Sequence, residues 1–149
     1  MTSLKLSDNK LHYISDKTIG ESRKEPDWIL DVNEIKAIGI NRIMDFDDDS
    51  FFIVIIDLTN SLYIINNTWN DKHEEFEKLI SEIFNISFEW ENVIDKNEII
   101  YPENLKGRPI FKNWTRDLKS LLFELKRQFR INTHVASGIL TDELKLYQQ

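Results

Sequence analysis

The chain has 149 residues, of which 41% are hydrophobic and 11% aromatic, and this is enough for one compact domain with a core of its own. It contains no cysteine, which excludes disulfides and thiolate metal sites and suits a reducing compartment. No apolar run reaches the roughly 18 residues that a membrane span needs, and the first residues lack the charged start and long apolar core of a secretory signal. We therefore expect a single-domain cytoplasmic protein over residues 1–149.

The net charge of −7 is unevenly distributed along the chain. Residues 1–104 carry 10 basic and 22 acidic side chains, a net charge of −12, whereas residues 105–149 carry nine and four, a net charge of +5. Such a split is typical of two surfaces with different partners, or of one half that docks electrostatically on the other. We favour the second interpretation.

The first two thirds of the chain predict mainly β-strands. Apolar runs bounded by turn residues indicate a hairpin over Leu4 to Ile14, a weak strand within 16–26, a strand over Lys36 to Ile43, a hairpin over Phe51 to Ile65, and strands at 86–90 and within 93–101. Between them, Asp31 to Ile35 predicts a single helical turn. Gly39 lies inside a predicted strand, which indicates a bulge or a close backbone approach.

The run Phe51 to Ile56 consists of six large apolar residues and predicts a central strand. Because strand side chains alternate between the two faces of a sheet, both faces of this strand are apolar. Both must therefore be covered, one by a helix and the other by further sheet or by the C-terminal segment.

Two amphipathic helices are predicted, at about 71–85 and 113–130. The first has an apolar stripe with helical spacing (Phe76, Leu79, Ile80, Ile83 and Phe84), and so has the second (Leu118, Leu121, Leu122, Leu125 and Phe129). Asp71 with Glu74 resembles a capping box at the first helix, with Thr68 or Asn70 as alternative caps.

Residues 102–109 predict an irregular connection, and 141–147 a final short helix. The predicted fold class is therefore α+β, with a mostly antiparallel sheet of about five to seven strands. The sheet-rich part would occupy 1–101 and include the first helix, and a helical part at 110–149 would pack on it.

The order of elements over residues 31–84 resembles small bacterial domains of the pleckstrin-homology and GRAM type. The shared features are the turn Asp31 to Ile35 leading into a strand, the hairpin Phe51 to Ile65, and a helix across the sheet. Lipid-binding members of that family carry basic residues at a strand–loop mouth. The corresponding loop here is acidic, so phosphoinositide binding is not implied.

Four carboxylates precede the central strand and form what we call the acidic rim: Asp45, Asp47, Asp48 and Asp49. A calcium loop of the EF-hand type would require glycine at the sixth position and glutamate at the twelfth, where this chain has Ser50 and Ile56. We therefore predict no metal site. Two interpretations stay open, a docking patch for a basic protein and gatekeeper charges that protect an aggregation-prone strand.

The second predicted helix carries a basic face opposite its apolar stripe. This face combines cations with one aromatic residue (Arg116, Lys119, Phe123 and Arg127, with Lys126 and Arg130 beside them). It could bind an anionic partner, but a solvated helix face explains the same pattern. The chain as a whole is acidic and contains no nucleic-acid-binding motif, so we expect no nucleic-acid partner.

Signals for catalysis are poor. The three histidines, His12, His73 and His134, are far apart in the sequence and form no zinc-binding pair. No nucleophile elbow and no glycine-rich phosphate loop is present. We therefore expect no catalytic residues and no cofactor.

The predicted function is that of a non-catalytic protein–protein interaction module with a basic protein as its partner. A sharper version is an immunity- or antitoxin-like inhibitor that masks a basic toxin. The competing prediction is a small-ligand or lipid-binding domain with its pocket between the sheet and the second helix. The sequence leaves the oligomeric state open.

Overall fold

The computed structural model describes residues 2–15, 18–19, 23–24, 27–44, 49–67, 71–90, 96–112 and 140–148. The strands in these residues are β1 (Ser3–Ser7), β2 (Lys10–Ile14), β3 (Thr18–Ile19), β4 (Arg23–Lys24), β5 (Trp28–Asp31), β6 (Ile35–Met44), β7 (Asp49–Asp57), β8 (Leu62–Asn66) and β9 (Lys96–Tyr101). The helices in the same residues are α1 (His73–Phe84) and α2 (Asp142–Leu146), and 3-10 turns occupy Val32–Glu34 and Glu103–Leu105.

The strands form antiparallel sheets in the orders β1-β2-β5 and β8-β7-β6-β9, with β3 and β4 as a separate short pair. The strands pair antiparallel, as predicted, and the described residues form an α+β or mostly β arrangement, but the prediction of one sheet with five to seven strands is wrong. The division occurs at the 3-10 turn Val32–Glu34, where the Asp31 carboxylate accepts a hydrogen bond from Asn33 N at 2.8 Å. This turn leads the chain from β5, in the three-stranded sheet, into β6 of the four-stranded sheet.

Strand β7 is buried on both faces, as its sequence predicts, and separates two cores. The first core lies between the two larger sheets and α1, and its buried members are Leu4, Leu11, Tyr13, Leu30, Ile35, Ile38, Ile40, Ile53, Ile55, Ile65, Phe76, Ile80 and Ile100. The second core lies on the opposite face of the four-stranded sheet, and its buried members are Ala37, Phe52, Val54, Ile56, Ile99, Leu105, Ile110, Phe111, Leu140 and Leu144. The coverings predicted for β7 are therefore confirmed: sheet and helix on one side, the C-terminal segment on the other.

Gly39 combines both features predicted for it. The register between β6 and β9 shifts between Ile38 and Gly39, which marks a bulge. A Cβ atom at Gly39 would lie only 2.6 Å from Ile110 Cγ1 and 2.9 Å from the carbonyl oxygen of Glu98. The absence of a side chain at this position therefore lets the segment around Ile110 pack directly on the sheet.

Helix α1 confirms the first predicted helix and buries Phe76 and Ile80. The capping box is wrong, because the N-cap residue is Lys72 and no side chain caps the helix. The helix ends at Phe84 and is capped by Asn85, which has the left-handed φ of 54° that asparagine tolerates better than most residues. The alternative caps Thr68 and Asn70 lie outside the described residues.

The strand predicted at 86–90 is wrong, although its alternation is real. Ile86, Phe88 and Trp90 are half-buried against the first core, while Ser87 and Glu89 are exposed. This segment packs through its side chains without joining a strand ladder, so apolar alternation alone did not distinguish it from a strand. Strand β9 confirms the prediction within 93–101, and α2 confirms the final short helix. The helix predicted at 113–130 lies outside the described residues.

Candidate functional site

The acidic rim is bounded by the paired ends of the longest hairpin in the described part of the chain. Strands β6 and β7 pair up to Met44 and Asp49, which lie directly opposite each other. Asp49 is thus the first residue of β7. Asp45, Asp47 and Asp48 lie outside the described residues.

Beside this hairpin end, an aromatic cluster joins the sheet to α1. The ring of Trp90 packs edge-on against that of Phe51, with centroids 5.3 Å apart, and stacks on Phe88 at 6.4 Å. The Trp90 indole donates a short hydrogen bond to the Glu77 carboxylate of α1. Arg42 Nη1 donates to the carbonyl of Trp90 at 2.9 Å, and its guanidinium lies 5.1 Å from the centre of the Phe51 ring.

The Glu77 carboxylate in this cluster has a perturbed acidity. Burial raises its pKa, and the hydrogen bond from the Trp90 indole only partly offsets that effect. Burial disfavours the charged form of a carboxyl group because it removes water from it. The cluster therefore brings the polar side of α1 to the β6–β7 hairpin, next to the acidic rim. The sequence contains no signal for this contact, since Trp90 and Glu77 lie on elements whose relative placement depends on the tertiary packing.

A second polar cluster, centred on Asp57 at the end of β7, lies in the turn that leads to β8. One carboxylate oxygen, Oδ1, accepts hydrogen bonds from Thr59 N at 2.8 Å, from Thr59 Oγ1 at 2.7 Å and from Ser61 N at 2.9 Å. The other, Oδ2, accepts one from the Tyr63 hydroxyl at 2.9 Å. Burial alone would raise the pKa of Asp57, but these hydrogen bonds outweigh it and lower the pKa. The Tyr63 pKa is raised, first by its hydrogen bond to Asp57 and then by burial.

Lys36 is 2% exposed and lies close to the same carboxylate. Its ammonium group donates to Asn60 Oδ1 at 2.5 Å and to the carbonyl oxygen of Lys145 in α2 at 3.1 Å. Burial lowers the Lys36 pKa, and attraction to Asp57 opposes that shift. These contacts join the β7–β8 turn to the C-terminal helix, so the cluster explains how α2 is held on the sheet.

The spacing of the Asp57 turn could have been found from the sequence. An aspartate followed two and four residues later by threonine and serine is typical of a turn in which the carboxylate accepts backbone N–H groups. Lys36 gave no such signal, because a lysine inside a strand is usually exposed.

The other predicted site residues are placed only in part. Arg116, Lys119, Phe123 and Arg127 lie outside the described residues. His73 is exposed in the first turn of α1, with Nε2 4.0 Å from the Glu74 carboxylate. Within the described ranges, no group of three or more histidine, aspartate or glutamate side chains is arranged to hold a metal ion, and no helix is long and apolar enough to cross a membrane.

Comparison of the chain with protein-family models, with curated proteins and with solved structures gives no match. The function proposed below therefore depends on the contacts, burial and charge of this chain alone.

Proposed function

We propose that the protein acts without catalysis, by binding a basic protein through the acidic rim. The observation that supports this most directly is the register of β6 and β7, which pairs Met44 with Asp49 at the end of the hairpin. Four carboxylates occur within the five residues that begin at Asp45, next to this paired end. Clustered charge of one sign accelerates and orients association with a partner of opposite charge.

The charges of α1 support the same partner. Glu74, Glu75 and Glu82 are exposed on this helix. The contacts from Glu77 through Trp90 to Phe51 connect the helix to the β6–β7 hairpin, next to the acidic rim. A basic partner at the rim would therefore also be attracted by the helix carboxylates, an effect that physiological salt screens over roughly 8–10 Å.

The gatekeeper interpretation concerns a different state of the chain. In the folded protein Ile53, Val54, Ile55 and Ile56 are fully buried, so the apolar run of β7 needs no protection there. Gatekeeper charges would act on the unfolded or folding chain, where this run is exposed. Solubility and refolding yield therefore report on gatekeeping, and the affinity of the folded protein reports on docking.

The test is a comparison of two variants with equal net charge. Asp47→Lys with Asp49→Lys changes the rim, and Glu75→Lys with Glu82→Lys changes the same number of exposed carboxylates on α1. Chemical crosslinking in an extract of the cells that produce the protein captures the partner, which is then purified. Calorimetry measures the affinity of the purified partner for each protein. We expect the rim variant to bind at least about tenfold more weakly than the α1 variant, because the proposal assigns the removed charges to the interface.

Thermal stability of the rim variant should remain close to that of the parent protein. Equal affinities of the two variants would contradict the proposal. A rim variant that binds normally but precipitates during refolding would instead support gatekeeping. If the partner is an enzyme, as the toxin-inhibitor version of this proposal requires, the parent protein should inhibit it stoichiometrically and the rim variant should not.

The family resemblance and the ligand pocket remain predictions from the sequence. The resemblance of residues 31–84 to pleckstrin-homology and GRAM-type domains concerns fold and carries no lipid-binding role here. The ligand pocket of the competing hypothesis would lie against the helix predicted at 113–130, which is outside the described residues.

A further inference from the structure

Within the described residues, no strand pairs with the outer edge of β1 in the three-stranded sheet. The two-residue turn Asp8–Asn9, with φ angles of 51° and 60°, closes the hairpin on the opposed residues Ser7 and Lys10. A two-residue turn of this left-handed type closes on a hydrogen-bonded pair, and hydrogen-bonded and non-bonded pairs alternate along antiparallel strands. The N–H and C=O groups of Leu4 and Leu6 therefore point away from β2. None of the described residues forms a hydrogen bond with them.

The edges of the four-stranded sheet differ from this one. At β8, the Trp28 indole donates to the carbonyl of Ile64 at 3.3 Å. At β9, Ile99 N donates to the carbonyl of Arg108 at 2.8 Å, and its own carbonyl accepts from Gly107 N at 2.9 Å. The opposite edge of the three-stranded sheet, β5, has only four residues and runs directly into a 3-10 turn. Of these four edges, β1 is therefore the one best suited to accept another strand.

The side chains around β1 leave apolar surface uncovered. Leu6 is 43% exposed at the open edge, although its neighbour on the same face, Leu4, is only 7% exposed. Ile14 and Ile29, on the outer face of the sheet, are 50% and 61% exposed. A strand added to β1 would place a residue directly opposite Leu6 and remove its side chain from water.

The charge on β1 determines which kind of strand would pair with this edge. Lys5 is exposed at the centre of the strand and points to the outer face. A second copy, paired antiparallel in the register that uses all of β1, would place Lys5 opposite Lys5, and like charges directly opposite each other are destabilising. An acidic residue opposite Lys5 is stabilising by the same rule. Apolar residues on either side of it would face Leu4 and Leu6.

We propose that β1 binds an extended segment of another protein by strand addition, and that this segment has an acidic residue between two apolar residues. Strand addition derives affinity from main-chain hydrogen bonds and specificity from alternate side chains. The segment would bond to the outward N–H and C=O groups of Leu4 and Leu6 and pair its carboxylate with Lys5. This surface is separate from the acidic rim and does not depend on it.

The first test uses three synthetic peptides and fluorescence anisotropy with the full chain. The probe has the core Thr-Val-Glu-Val-Thr, a second peptide replaces glutamate by lysine, and a third is N-methylated at both valines. We expect saturable binding of the probe, about fivefold weaker binding of the lysine peptide, and no binding of the methylated peptide, which lacks the bonding N–H groups. Absence of saturable binding of the probe at about millimolar concentration, or equal binding of the methylated peptide, would overturn the proposal.

The second test changes the chain. Leu6→Pro removes the outward N–H of an edge residue and no hydrogen bond to β2, a position that proline tolerates, and should weaken the probe about fivefold. Lys5→Glu should reverse the preference, so that the lysine peptide binds more tightly than the probe. If Leu6→Pro fails to fold, the reversed peptide preference of Lys5→Glu tests the proposal by itself. An unchanged preference would overturn the charge assignment, and a dimer of the parent chain that Leu6→Pro dissociates would show that a second copy occupies the edge instead.

Discussion

Replacing Asp57 by asparagine tests the polar cluster that joins the β7–β8 turn to α2. The carboxylate is 7% exposed and accepts four hydrogen bonds from Thr59, Ser61 and Tyr63. Asparagine keeps one acceptor oxygen, but its NH₂ group replaces the oxygen that faces the Tyr63 hydroxyl. The variant also leaves the buried Lys36 ammonium without its nearby negative charge.

The expected loss follows from these contacts. Hydrogen bonds to charged groups contribute about 1.5–3 kcal/mol, and bonds between neutral groups about 0.5–1.5 kcal/mol. Removing one partner of a buried charge pair costs about 3–5 kcal/mol when the other charge stays buried. Since Asn60 and Lys145 still accept hydrogen bonds from Lys36, we expect Asp57→Asn to lower the free energy of unfolding by about 3 kcal/mol at neutral pH.

The loss should depend on pH in a direction fixed by the pKa of Asp57. This pKa is lowered from its usual value near 3.8 in the folded protein, so the unfolded chain binds the proton more readily. The stability that the carboxylate contributes is therefore fully present above the unfolded pKa and is lost as the pH falls through the lowered folded pKa. Asparagine does not titrate, so the difference between parent and variant should shrink as the pH decreases below about 4.

The assay is urea denaturation followed by tryptophan fluorescence, from neutral pH to the lowest pH at which both proteins fold. Asp31→Asn is the matched control, because the Asp31 carboxylate also accepts a backbone N–H in a turn, that of Asn33. It should lose about 1 kcal/mol or less. A loss of less than about 1 kcal/mol for Asp57→Asn at neutral pH, or a loss that stays constant down to acidic pH, would refute this reasoning.

Two further substitutions test the packing around the sheet. Gly39→Ala should lower the free energy of unfolding by about 1–3 kcal/mol in urea denaturation, because its Cβ would overlap Ile110. Adding Ile110→Val should recover part of that loss. An unchanged urea midpoint for Gly39→Ala would contradict the close approach. Glu77 has a raised pKa, so its contribution to stability is complete below the unfolded pKa near 4.5 and is lost as the pH rises through the folded value. Glu77→Gln should therefore gain stability relative to the parent between about pH 4 and neutral pH, and parallel stability profiles would show that burial beside Trp90 does not perturb this carboxyl.

Local patterns were enough to predict most elements of the fold. The hairpin over Leu4 to Ile14, the two-sided burial of β7 and the apolar stripe of α1 follow from turn residues and from the periods of strand and helix. The number of sheets could not be predicted, because a three-residue 3-10 turn at Val32–Glu34 separates them and nothing in the composition shows which strands pair across it.

The polar sites depend more strongly on tertiary contacts. The turn around Asp57 has a recognisable spacing, but its proximity to Lys36 and to the carbonyl of Lys145 links residues that are far apart in the sequence. Likewise, the alternation at 86–90 indicated a strand because half-burial produces the same pattern whether or not a neighbouring strand supplies hydrogen bonds. The pattern of one sequence indicates which residues are buried. Predicting which strands pair also requires the positions of the other elements.

The most direct test of the proposed function is the dissociation constant of the purified basic partner, measured at low and at physiological salt with the parent protein and with the two charge-matched variants. If the acidic rim is the docking surface, the parent should bind more weakly as salt increases. Asp47→Lys with Asp49→Lys should abolish most of the affinity and of its salt dependence, and Glu75→Lys with Glu82→Lys should retain most of both. Equal affinity and equal salt dependence for all three proteins would contradict the account.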